Sequence, residues 1–189
     1  RVTWRASDTP GLFDRLILWP PAIDRQKQYD RLVTHGFVHA DWQHLLFNMI
    51  TLFFFGGVVE TLQTRISGVA TFPLFYLSAI VVAILPSWLR HRHDGRYRSL
   101  GASGAVSAVL FAYILYNPWA IIFVPIPVPA FLYAAFYIWM SWRMNRLGGD
   151  NINHSAHLWG AGYGILFMIV MEPGIVAHFL ARLMSPSFG

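Results

Sequence analysis

Gly101-Ala102-Ser103-Gly104-Ala105-Val106-Ser107-Ala108-Val109-Leu110-Phe111-Ala112-Tyr113-Ile114-Leu115-Tyr116 is an apolar run opened by a serine set between glycines. Asn117-Pro118 closes it. As a helix rising about 1.5 Å per residue, it reaches roughly 21 Å from Ser103, short of the about 30 Å of bilayer hydrocarbon. With its Pro118 end at one interface, Ser103 lies below the other. A polar residue at that depth has to face protein or water, because lipid offers it no hydrogen-bond partner. The run therefore predicts a helical membrane bundle enclosing a water-filled pocket at Ser103.

Composition supports a membrane bundle. The 189 residues are 56% hydrophobic and 12% charged, where soluble domains carry about 25% charge. Hydrophobicity is clustered, and the expected fold is all-α, a polytopic bundle with five spans near 42–59, 69–89, 101–116, 119–142 and 156–171. In the fourth, Pro125, Pro127 and Pro129 forbid regular helix. Either the helix proper begins near Ala130 after an interfacial lead-in, or a loosened helix swings aside. Residues 1–41 read as an interfacial segment: Arg1, Arg5, Arg15, Arg25, Lys27 and Arg31 are offset by Asp8, Asp14, Asp24 and Asp30. Its apolar patch at Leu12, Phe13, Leu16, Ile17, Leu18 and Trp19 is too short to span and ends at Pro20-Pro21. The expected organisation is thus 1–41 as interfacial loop, 42–172 as membrane core and 173–189 as C-terminal tail.

The absence of cysteine excludes disulfides, thiol catalysis and thiolate metal sites. The net charge of +5 is almost wholly arginine. No basic run alternates with stacking aromatics, so interfacial anchoring explains it and nucleic acid is not an expected partner. Five alternating spans place every basic residue except Arg65 and Arg182 on one face, which the positive-inside rule puts in the cytoplasm.

Three segments that open spans on that face carry polar chemistry. Asp41 is a candidate N-cap, and His44 and Asn48 follow at i, i+4, sharing one helix stripe. Gly101 and Gly104 give Ser103 a helix N-terminus with free amides and a dipole that favours an oxyanion. His157 opens the last span, where Gly160 and Gly164, four apart, permit close contact with Gly104, Ala105 and Ala108 of the third. Ser103 is the candidate nucleophile and His157 the general base. The Ser103 amide, His44 and Asn48 are the candidate oxyanion donors. No acid stands where a third triad member is expected, so the natural form is a Ser-His dyad.

His44-Leu45-Leu46-Phe47-Asn48, Gly101-Ala102-Ser103-Gly104 and Ala156-His157-Leu158-Trp159-Gly160 together resemble the rhomboid intramembrane serine proteases in order and spacing. Gly56-Gly57 with Glu60, and Arg31 with Thr34-His35 and His39, add to the likeness, which covers residues 20–170. The resemblance implies a six-helix core whose first helix precedes Arg1, and a catalytic dyad of Ser103 and His157 with His44, Asn48 and the Ser103 amide at the oxyanion. Residues 37–41 would lie beside the site. It implies substrates that are transmembrane helices within the lipid bilayer, with neither metal nor cofactor, and a gate and cap formed by the fourth span and residues 146–153.

The chain departs from the family in three ways. The position four after the nucleophile, often a tyrosine stacked on the catalytic histidine, is Ser107. The tryptophan-arginine pair usual before the histidine motif reads Asp30-Arg31. The charge count opposes the family's usual extracytoplasmic site.

The competing readings are a catalytically inactive relative that binds transmembrane helices, a metal site at His35/His39, His154/His157 or His91/His93, and a transporter. Inactive relatives usually lack the serine or the histidine. The histidine pairs lack the glutamate of an HExxH motif. No acidic residue falls within the expected spans, which opposes ion coupling. Compact size favours a bacterial inner membrane.

Overall fold

The computed structural model describes residues 11–123 and 126–186. Arg1, Arg5, Asp8 and Pro125 lie outside the described residues. The interfacial segment folds as three short helices, α1 (Leu12–Leu16), α2 (Pro20–Gln26) and α3 (Arg31–Thr34), followed by a single 3-10 turn, His35–Phe37. Pro20-Pro21 ends the apolar patch by starting α2, since proline suits the first helical positions, where its missing N–H is not needed. Arg31 is buried at the centre of this unit. Its guanidinium donates to the Asp14 and Ile17 carbonyls, each at 2.6 Å, and to the Gln28 side chain at 2.7 Å. Leu18 pairs with Ser99, and Asp24 accepts from Arg92 and Trp88, so the segment is fastened to the 91–100 loop.

The first span is a continuous helix over Trp42–Ser67, longer than its expected end at 59. It comprises α4 (Trp42–Thr51), a π-helical turn at Leu52–Gly56 and α5 (Gly57–Ser67). The extension brings Glu60 into the span, on an exposed face, which corrects the expectation of spans without acids. Then come α6 (Thr71–Arg90), α7 (Ser103–Tyr116), α8 (Ala130–Leu147), α9 (His154–Met171) and α10 (Ile175–Met184). Trp42–Ser67 and Thr71–Arg90 are long and apolar enough to cross a membrane, as is the α9–α10 pair if its 109° bend is counted as one span. The helix α7 is shorter, and the reason lies in its surroundings. All but four of its residues are buried, so protein rather than lipid covers it and bilayer thickness does not set its length.

The helix expected as the fourth span, α8, begins at Ala130 rather than 119, and it is not among the described helices that are long and apolar enough to cross a membrane, so two or three spans stand where five were expected. Ahead of it, Ile121–Phe123 pairs antiparallel with Pro127–Pro129 in a two-stranded hairpin. Proline lacks the N–H of a helix interior but fits a short edge strand. Residues 175–184 of the tail segment form α10. It is held by its buried Ile175, by His178 bonded to the Tyr116 carbonyl at 3.0 Å, and by Trp119 donating to the Arg182 and Leu183 carbonyls.

At the core, α7 and α9 run side by side with both N-termini on one face, and α6 packs against both. Gly160 lies against the Gly104 carbonyl and Gly164 against the Ala108 carbonyl; a Cβ at either glycine would collide with that oxygen. Small residues four apart thus lock two backbones together without a side-chain layer between them. Phe75, Ala79, Ile80, Val109 and Met168 fill the space around this seam.

Candidate active site

The seam sets the helices that carry Ser103 and His157 side by side. Ser103 is the first residue of α7, and Val106 makes that helix's first bond, to Ala102 at 2.9 Å. The amides of residues 103–105 therefore precede the helical ladder and point to the site face. His157 sits in the first turn of α9, just ahead of Gly160. Ser103, His157, His44 and Asn48 all line one cavity of about 970 Å³. Among the described residues no hydrogen bond joins Ser103 to His157; bonds of this kind often tighten only in the substrate complex.

His44 reaches the serine turn through Gly101. That glycine has φ +106°, and its amide donates to the His35 carbonyl at 2.9 Å. A Cβ there would stand 2.5 Å from His44 Cε1, so the imidazole lies flush on the turn that presents Ser103. Asp41 caps α4 as expected, accepting from the His44 amide at 2.7 Å. Asn48 is buried one turn further on, and its Nδ2 meets no acceptor among the described residues. It is a desolvated donor at the cavity wall, suited to a developing negative charge.

Further residues stand at this site: residues 37–41 were expected beside it and His39 and His154 were read from sequence as candidate metal ligands, while Asn153 was not named as a helix cap and Tyr137 was given no role. Asn153 caps α9 by accepting from the Ala156 amide at 3.0 Å and from Ser87 at 3.1 Å. Its Nδ2 donates to Tyr97 and Ser99, so that, with the Ser87 bond, the helix of His157 is tied to α6 and the 91–100 loop. The signal was there, since asparagine just before a helix is a preferred cap. His154 is buried, bonded to Asp150 at 2.9 Å, with its ring edge-on to His157 at 5.7 Å. That bond holds the Asp150 carboxyl below its ordinary range. His39 meets His44 edge-on at 5.0 Å; burial first, and then the neighbouring His44, pushes it down to about 4, so it is neutral near pH 7. Lastly, the Tyr137 ring of α8 stacks on His157 at 5.9 Å and 27°.

The Rhomboid domain profile matches residues 26–173. The chain belongs to the rhomboid family. This rhomboid is 33% identical over 175 residues to the RHOMBOID-like protein 12, mitochondrial, of Arabidopsis thaliana, covering 85% of this chain and 51% of that protein. It is 31% identical over 142 residues to Rhomboid protein 1, mitochondrial, of Saccharomyces cerevisiae, covering 72% and 40%. Against the human presenilin-associated rhomboid-like protein, mitochondrial, identity is 35% over 141 residues, covering 70% and 35%. The chain therefore spans about half or less of the length of these relatives. No group of three or more metal-ligating side chains occurs among the described residues of this rhomboid.

Proposed function

We propose that this rhomboid is an intramembrane serine endopeptidase that cuts transmembrane helices of other membrane proteins. The observation that carries this reading is the single cavity, set in an apolar bundle, that gathers a helix-terminal serine, a histidine and an unpartnered buried amide donor. Ser103 Oγ attacks the scissile carbonyl carbon while His157 takes its proton. The oxyanion accepts hydrogen bonds from the Ser103 amide, His44 and Asn48 Nδ2. As the peptide C–N bond breaks, His157 returns that proton to the leaving amine. Water, deprotonated by His157, then attacks the acyl carbon, and as the ester bond breaks the proton passes from His157 to the departing Ser103 Oγ. Preformed donors need no reorganisation during the reaction, and each is worth roughly 10²–10³ in rate.

Residues 1–41 serve as the interfacial loop in this reading and 42–172 as the proteolytic core. The bilayer is the working environment. The bacterial inner membrane expected from chain size draws no support from the relatives, three of which carry mitochondrial names. The test is cleavage of a reporter transmembrane substrate in proteoliposomes by wild type and Ser103→Ala. Product from wild type alone is expected. Capture of the substrate without cleavage by either protein, with both folded, would replace this reading with a helix-binding pseudoprotease.

A further inference from the structure

Ser107 cannot stack on His157, and the structure supplies a ring from a different helix. Ser107 Oγ donates to the Ser103 carbonyl at 2.7 Å, which uses its one proton. The 2.6 Å contact between Ser107 Oγ and the Tyr137 hydroxyl is therefore donated by Tyr137. One side chain thus bonds, through Ser107, to the nucleophile's own carbonyl and sets its ring beside the base, offset at 5.9 Å and 27°. A third contact, with Phe111 at 5.6 Å, completes its setting.

The helix that carries this tyrosine is the least embedded of the long helices. In α8 only Ala130 and Ser141 are buried, while Leu132, Phe136, Ile138, Trp139, Met140 and Trp142 are exposed. It docks along the narrow stripe Ala130, Tyr133, Ala134, Tyr137 and Ser141, at i, i+3, i+4, i+7 and i+11. By contrast α7 and α9 are locked backbone to backbone. A displacement that widens the cavity will therefore move α8 before it moves either partner of the seam, and will carry Tyr137 off His157.

We propose that Tyr137 is a positioning residue for His157, and that it makes the alignment of the base conditional on α8 being docked. The inference rests on the protease reading above. With α8 docked, the ring fixes the plane of the imidazole toward Ser103. With α8 displaced, the ring leaves and the imidazole is free to rotate, so a wide-open cavity does not cleave and redocking around a bound substrate restores the base.

The experiment measures kcat, KM and the pH dependence of kcat for wild type, Ser103→Ala, Tyr137→Phe, Tyr137→Leu, Ala134→Leu and the Ala134→Leu/Tyr137→Leu double variant in proteoliposomes. Thermal midpoints confirm folding. Tyr137→Leu removes the stack and is expected to lower kcat by roughly 10- to 100-fold with KM little changed and the pH midpoint moved. Tyr137→Phe keeps the ring and stays within about 3-fold. Ala134→Leu overpacks the docking stripe and lowers kcat in the wild-type background, but adds nothing once Tyr137 is leucine. An active wild type with Tyr137→Leu at full kcat, or a change in KM alone, overturns the inference and leaves the protease reading standing. So does Ala134→Leu with raised kcat, or with an equal loss in both backgrounds. A wild type as inert as Ser103→Ala removes both.

Discussion

Replacing Gly101 by alanine tests the contact that brings His44 to Ser103. The new Cβ falls 2.5 Å from His44 Cε1, where an ordinary contact begins at 3.4 Å, so the ring has to retreat by about 0.9 Å. A displacement near 1 Å in a catalytic group costs on the order of 10² in rate, equivalent to about 2.7 kcal/mol. Removing the donor altogether, as in His44→Ala, costs roughly 10²–10³. Alanine at φ +106° is also strained by about 1–3 kcal/mol, a penalty that does not depend on the imidazole. These two effects separate in a double-mutant cycle. Initial rates in proteoliposomes are expected to fall about 100-fold for Gly101→Ala alone. In the His44→Ala background the same change should add less than about 3-fold, because the group it displaces is already gone. The thermal midpoint should drop in both backgrounds, since the backbone strain persists in each. A further 100-fold loss in the His44→Ala background would show that position 101 acts on the serine turn directly, and would refute the argument that His44 is the group it disturbs.

Further predictions concern the seam, the cap and the interfacial loop. Gly160→Ala drives a methyl into the Gly104 carbonyl and should destabilise the fold by about 1–3 kcal/mol while depressing cleavage; Gly162→Ala, whose Cβ meets nothing within 4 Å, should leave thermal midpoint and rate near wild type. Equal effects at the two positions would sink the seam argument. Asn153→Ala removes the α9 cap and should cost about 1 kcal/mol or more of stability, whereas Asn153→Asp keeps the accepting oxygen and should lose less; a reversed order in differential scanning fluorimetry would contradict the cap assignment. His35 is buried and its Nδ1–H donates to the Arg31 carbonyl; burial pushes its pKa down from 6.5 to about 4. Its unfolded form therefore binds a proton that the folded form refuses, so stability is full above pH 6.5 and declines toward pH 4 by about 3 kcal/mol. His35→Gln should lessen the fall of the thermal midpoint over that window, the remainder coming from His39, which is likewise pushed down to about 4; parallel decline of variant and wild type would remove His35 as a cause.

What the sequence made legible, and what it did not, follows the range of the interactions involved. Apolar runs, prolines ahead of Ala130 and an Asp41 cap are local signals, and they find their counterparts in helices, in a delayed start of α8 and in a 2.7 Å bond. The pairing of Gly160 and Gly164 with Gly104 and Ala108 was readable because small residues four apart have few other uses in a span. The first span ends at Ser67 rather than 59, past Glu60 and Arg65. A helix this long can keep them on an exposed face near its end, beyond the π-turn at Gly56. Tyr137 was invisible for a different reason. Nothing in the order Phe136-Tyr137-Ile138 distinguishes a lipid-facing aromatic from one aimed at a catalytic histidine; only the docking angle of α8 decides it. The departure at Ser107 was the clue from the other side, since a missing stack leaves a space that some ring has to fill. Where a family's usual contact is absent, the replacement need not come from the same helix. In this chain it comes from α8, the long helix with the fewest buried residues, and not from either partner of the α7–α9 seam.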